Sequence, residues 1–126
     1  MKLRVKGNSL RLRLSRSEVA GLLKQGRIEE TIYFGDGDEA KLTYALEHAI
    51  GAGAMSMRYA AQNATVVVNT DEARRWAEGD EVGLYGETGV GDRRLEMMVE
   101  KDFACLDRSD AENADTFPHP KQGAVC

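Results

Sequence analysis

Shifted against itself by 54 residues, the chain lays residues 9–19, SLRLRLSRSEV, over residues 63–73, NATVVVNTDEA, and polar and apolar positions agree along the stretch. A unit of roughly 50 residues buries too little surface to stand alone, so two copies are expected to pack as a pseudo-twofold pair around one core. In the first copy Leu10, Leu12 and Leu14 alternate with Ser9, Arg11 and Arg13, the period of a strand with one buried face. Ala64, Val66 and Val68 occupy that face in the second. Each strand runs into a helix start: Ser15-x-x-Glu18 is a capping box and Asn69-x-x-Glu72 is its relative. The helices present Val19, Leu22 and Leu23, then Ala73, Trp76 and Ala77, at the i, i+3, i+4 spacing of a core-facing stripe. Both end at glycine, Gly26 and Gly79, where a left-handed cap is expected.

Further alternating runs flank this unit. Residues 2–5 and 55–59 form a strand ahead of each copy, with hairpin turns at Gly7-Asn8 and Gln62-Asn63. After the helices come Ile28/Glu30/Ile32/Phe34 and Val82/Leu84, a Gly/Asp-rich turn, and Leu42/Tyr44/Leu46 or Leu95/Met97/Val99. The stretch 86–92, GETGVGD, reads as the second of these turns, and residues 100–106 continue the last strand. The predicted fold is α+β and mostly antiparallel: eight strands and two short helices in a tandem strand-strand-helix-strand-strand repeat. Residues 1–106 make one domain of two pseudo-repeats, about 1–50 and 51–106. Residues 107–126 hold both prolines and form an acidic tail with Phe117 as its anchor on the body.

The chain has 17 basic and 21 acidic residues among 126, a net charge of −4, and 42% apolar residues. That is an ordinary globular composition, able to fold without disulfides or a structural metal. Apolar runs fall well short of the ~20 residues that span a bilayer, so no membrane association is expected. Residues 1–6 lack the apolar core of a signal peptide, so a cytoplasmic location is expected. Cys105 and Cys126 stand in no metal-binding spacing and read as reduced thiols there.

The run 6–16, KGNSLRLRLSR, followed by a helix and LKQGRI at 23–28, resembles the swapped-hairpin domains of the AbrB and MazE type. Residues 76–82, WAEGDEV, resemble the later part of that pattern. Lys6 stands where that family usually has an aromatic, and Ser15 replaces its proline. The resemblance covers residues 1 to about 103. It implies a single-chain version of an interlocked dimer, bound either to DNA or to a protein partner, as MazE-like antidotes bind a toxin. With its 100–106 and 114–118 segments included, the chain resembles a family of small uncharacterised bacterial proteins, which implies no activity.

Residues 1–16 hold six cations, Lys2, Arg4, Lys6, Arg11, Arg13 and Arg16, and no acid. If the first two strands pair, Lys2, Arg4, Lys6, Arg11 and Arg13 share one face, a candidate nucleic-acid-binding patch. Residues 51–126 carry 8 basic against 14 acidic groups, and Thr65 and Val67 replace Arg11 and Arg13 in the second copy. A symmetric grip is therefore not encoded, and the competing reading is a solvated sheet face whose cations pair with Glu29 and Glu30.

No catalytic constellation is legible, and no cofactor is expected. His48 and His119 sit in no metal or triad motif, and the glycine-rich stretches lack a phosphate-loop or dinucleotide fingerprint. The remaining enzymatic reading is a metal-assisted one, drawing on Asp107, Asp110, Glu112, Asp115 and His119 of the tail with His48, although the spacing matches no known loop. Asp102 has no second carboxylate nearby in sequence, so no acid–base pair is proposed. The leading expectation is a small binding module, monomeric or a weak homodimer.

Overall fold

The computed structural model describes residues 1–104 and 113–118. Its elements run β1 (Lys2–Lys6), β2 (Ser9–Leu14), α1 (Arg16–Gln25), β3 (Arg27–Tyr33), β4 (Lys41–Ala49), β5 (Ser56–Ala60), β6 (Asn63–Asn69), α2 (Thr70–Glu78), β7 (Gly83–Val90) and β8 (Arg93–Lys101). They form two four-stranded sheets, β1-β2-β8-β7 and β3-β4-β6-β5. The fold is α+β with repeated half-units. Neither helix is long and apolar enough to cross a membrane.

Each half is split between the sheets. Its first hairpin joins the last two strands of the other half, and the joints are the parallel pairs β2·β8 and β4·β6. Register carries the pseudo-twofold: Ser9 lies beside Glu96 and Asn63 beside Thr43. The tie from the hairpin turn repeats as well, Glu96 N donating to Asn8 O at 3.1 Å and Thr43 N to Gln62 O at 2.8 Å. The two loops after the helices differ, since β3 and β4 are separated by residues 34–40 and β7 and β8 by Gly91 and Asp92 alone.

One core serves both halves. Leu12, Leu14, Val19, Leu22 and Leu46 from the first half meet Val66, Val68, Ala73, Trp76, Met97 and Val99 from the second, all at most 4% exposed. Val19 and Leu22 are buried on α1 and Ala73 and Trp76 on α2, with Ala77 packing partly buried beside them, while Leu23 of the expected first stripe is half-buried outside this core cluster. The capping box at Ser15 and Glu18 is complete. Asn69 caps α2 one-sidedly, accepting from Asp71 N and Glu72 N.

Several local expectations are corrected. Gly26 adopts the left-handed cap at φ 84°, whereas Gly79 is extended. The second hairpin turns at Ala61 and Gln62, both at positive φ, one position earlier than Gln62-Asn63. The stretch 86–92 is mostly strand: β7 runs through Val90, and only Gly91 and Asp92 make the turn. Gly86 is needed inside that strand, because a Cβ there would stand 2.8 Å from Met55 Cβ where the chain entering β5 crosses β7. The last strand ends at Lys101, followed by a single bridge from Phe103 to Phe117. At the far end of β3, Ile32 and Phe34 are exposed, and Val82 lies outside β7 with its carbonyl accepting from Trp76 Nε1 at 3.1 Å.

Segment 113–118 returns to the body. Phe117 N donates to Asp102 O at 2.8 Å and Ala104 N to Phe117 O at 2.7 Å, and the Phe103 and Phe117 rings meet edge to face at 6.2 Å. Asp115 stands over the start of α1, its carbonyl accepting from Arg16 N and its carboxylate from the Ser17 backbone and hydroxyl.

Because the core interleaves both halves, it should unfold as one unit. Trp76→Ala is expected to cost about 3–5 kcal/mol and Leu22→Ala about 2–5 kcal/mol. In urea, far-ultraviolet circular dichroism and a fluorescence probe placed in the first half should give coincident transitions for either variant. Separate midpoints would show the halves to be independent.

Candidate polyanion-binding face

The leucines of β2 point into the core, so the alternate positions face out. Pairing β1 with β2 sets Lys2 opposite Arg13, Arg4 opposite Arg11 and Lys6 opposite Ser9, which places five of the six expected cations on one outer face. Arg16, the sixth, leaves the sheet as the first residue of α1. The cations do not pair with Glu29 and Glu30, which lie on β3 of the other sheet. Instead Lys2 Nζ reaches Asp102 at 2.8 Å and Arg11 Nε stands 3.1 Å from Glu100 Oε1. Among the described residues Arg4, Lys6, Arg13 and Arg16 make no ion pair within 4 Å.

The face continues across β8 and β7. Arg11 lies beside Met98 and Met98 beside Tyr85, while Ser9, Glu96 and Glu87 form the next row. The hairpin side is basic and the β7–β8 side acidic, with the exposed Tyr85 ring at the border donating to Glu100 Oε2 at 3.0 Å. Burial, then the Glu100 carboxylate, raise the Tyr85 hydroxyl above its ordinary pKa. Tyr85 was not singled out in the sequence because the strand of Val82 and Leu84 was read as ending at the 86–92 turn, although alternation with Leu84 already put Tyr85 on the outer face.

His48 and Lys101 have structural duties. His48 is half-buried with both ring nitrogens engaged: Nε2 donates to Leu22 O at 3.1 Å, and Nδ1 lies 2.9 Å from the Thr70 hydroxyl. Its counterpart in the repeat is Lys101, whose Nζ donates to Gly79 O at 2.7 Å. Each therefore satisfies a carbonyl at the C-terminal end of the preceding helix. Burial pulls the Lys101 ammonium below its ordinary pKa, against the carboxylates of Asp80 and Glu81. Of the metal-assisted reading, Asp107, Asp110, Glu112 and His119 lie outside the described residues, as do Cys105 and Cys126. Among the described residues no cluster of His, Cys, Asp and Glu is arranged to hold a metal ion.

The other sheet carries a compact ionic cluster on its outer face. Arg58 donates to both oxygens of Glu47, at 3.0 and 3.1 Å, and Arg27 to one of them at 3.2 Å and to Thr65 Oγ1 at 3.1 Å. The Arg58 hydrogen bonds, against a smaller effect of burial and with Arg27 assisting, hold the Glu47 carboxyl below its ordinary 4.5. A depressed carboxyl pKa contributes stability that is present above the unfolded value and lost as pH falls through the folded one. Glu47→Gln should therefore flatten the loss of stability on acidification below pH 4.5, read as melting temperature against pH. An unchanged acid limb would show that the cluster contributes nothing.

No curated protein and no solved structure matches this chain. A family model, described as a family of unknown function (DUF7009), matches residues 1–121, nearly the whole sequence. The chain belongs to that family.

Proposed function

We propose that the chain is a binding module and that the outer face of the β1–β2 hairpin binds nucleic acid through its phosphates. One observation carries this reading: five cations are gathered on a single sheet face, and among the described residues two of them are matched by carboxylates within ion-pair distance. Lys and Arg on such a face neutralise phosphates and release counterions. Tyr85, in the row of Arg4 and Arg11, offers a ring on which an unpaired base stacks. On β7 and β8 Arg94 neutralises Glu87, and Glu96 repels a backbone laid across those strands, so the strand follows the hairpin.

A second reading, a protein partner, has its own observation. Ile32, Tyr33 and Phe34 are consecutive and exposed by 46%, 71% and 69% at the end of edge strand β3. Replacing Tyr33 and Phe34 by serine separates the readings, since it leaves the basic face intact.

By fluorescence anisotropy, labelled single-stranded and duplex oligonucleotides should bind at ~50 mM salt and release near 200 mM. Arg11→Glu with Arg13→Glu should abolish binding. Arg4→Glu with Lys6→Glu makes the same change of charge on β1, away from Glu100, which stands beside Arg13 in the ladder, and should do likewise while melting no lower than the parent. Binding that survives in both double variants, or none in the parent, removes the nucleic-acid reading.

A further inference from the structure

The repeat places a corresponding hollow on the outer face of each sheet. One, of about 440 Å³, is lined by Arg27, Glu47, Arg58, Ala60, Asn63 and Thr65. The other, of about 140 Å³, is lined by Arg4, Lys6, Ser9, Arg11 and Met98. Arg58, Ala60, Asn63 and Thr65 each stand 54 positions after Arg4, Lys6, Ser9 and Arg11, and Glu100 stands 53 after Glu47. The larger hollow is filled electrostatically from within, its Glu47 carboxylate lying between the Arg58 and Arg27 guanidiniums. In the smaller one the matching carboxylate is turned away, with Glu100 Oε2 held by Tyr85 and Oε1 beside Arg11 Nε. Among the described residues no carboxylate stands within ion-pair distance of Arg4, where its counterpart Arg58 has two oxygens.

The donors around the smaller hollow are poorly matched. Arg11 Nε is buried and lies off the hydrogen-bonding direction of Glu100, and Arg11 Nη2 meets the Met98 sulfur, a weak acceptor, at 3.8 Å. Across the hairpin Arg4 faces Arg11 and Lys2 faces Arg13, and like charges directly opposite destabilise an antiparallel pair. An oxyanion between Arg4 and Arg11 offsets the repulsion of that pair and gives Arg11 Nη2 a strong acceptor.

We propose that this hollow seats one tetrahedral oxyanion, a phosphoryl group held by Arg4, Lys6 and Arg11 as the larger hollow holds its own carboxylate. The proposal rests on the nucleic-acid reading only for the source of the group, which is either a phosphodiester or free phosphate. The volume is below the roughly 300–1,000 Å³ of sites that enclose a drug-sized ligand, so the seat takes one group and leaves the rest of a larger ligand outside. Ser9 spends its hydroxyl proton on Lys6 O at 2.6 Å, so the cations supply the donors. Guanidinium groups suit the task, because their forked donors match phosphate oxygens.

The test titrates inorganic phosphate against chloride at equal ionic strength, reading melting temperature and the Arg11 Nε–H resonance by NMR. In the parent, phosphate should raise the melting temperature and shift that resonance, and chloride should do neither. Arg4→Gln should melt above the parent in phosphate-free buffer, because a like-charge pair is gone, yet bind phosphate roughly tenfold more weakly. A purely structural Arg4 would not move these two readouts in opposite directions. Lys24→Gln, an exposed cation in the last turn of α1, should keep the phosphate response. A short single-stranded oligonucleotide that shifts the same resonance identifies a phosphodiester as the source. A response to phosphate with none to the oligonucleotide leaves the seat standing for free phosphate and removes the nucleic-acid reading. Equal effects of phosphate and chloride, or parent-like phosphate binding by Arg4→Gln, overturns the seat even where oligonucleotides bind elsewhere on the face.

Discussion

The two parallel ladders, β2 with β8 and β4 with β6, are the constraint on which the rest depends. Antiparallel hairpins close locally, but a parallel pair needs partners brought from afar, and here both parallel ladders join one half to the other. Neither half owns a sheet: its first hairpin sits in one and its last two strands in the other. The interior follows from this, since Leu12 and Leu14 can be covered only beside Met97 and Val99, and Val66 and Val68 only beside Leu46. A chain built this way folds late and together, because loop closure must precede the contacts that reward it.

The pseudo-symmetry holds in the backbone and the interior and breaks on the outer faces. His48 and Lys101 do the same work with different chemistry, each donating to a carbonyl at the end of the preceding helix. Gly26 closes its helix with a left-handed turn, while Gly79 stays extended and receives the Lys101 ammonium at its carbonyl. Outside, one sheet neutralises its arginines with Glu47, and in the other, among the described residues, Glu100 stands beside Arg11 and away from Arg4. Packing restrains the shared core, whereas exposed positions are free to diverge, and that is where a binding site is cheapest to build.

The alternation in β2 and β6, the stripes Val19/Leu22 and Ala73/Trp76, and the Ser15–Glu18 box were all legible, because each is a local pattern with a period or a cap. So was the sharing of a face by Lys2, Arg4, Lys6, Arg11 and Arg13, which needs only a hairpin. The stretch 86–92 was misread because glycine signals a turn wherever it occurs. The reason for Gly86, the close approach of Met55, comes from a segment thirty-one residues earlier in the chain.

The sequence by itself therefore determined the inventory: two equivalent units, the strands and helices in each, the residues that face inward, and the concentration of positive charge in the first. Tertiary structure decided which hairpin joins which strands, and hence that Arg11 meets Glu100 and Lys2 meets Asp102 in place of Glu29 and Glu30. It also set the Glu47 carboxylate between Arg27 and Arg58, and turned Glu100 aside toward Tyr85. The physical reason is range. Periodicity and capping act over a few residues and leave their mark in the string, whereas charge pairing is decided by distances of a few ångströms between strands that the string holds scores of positions apart.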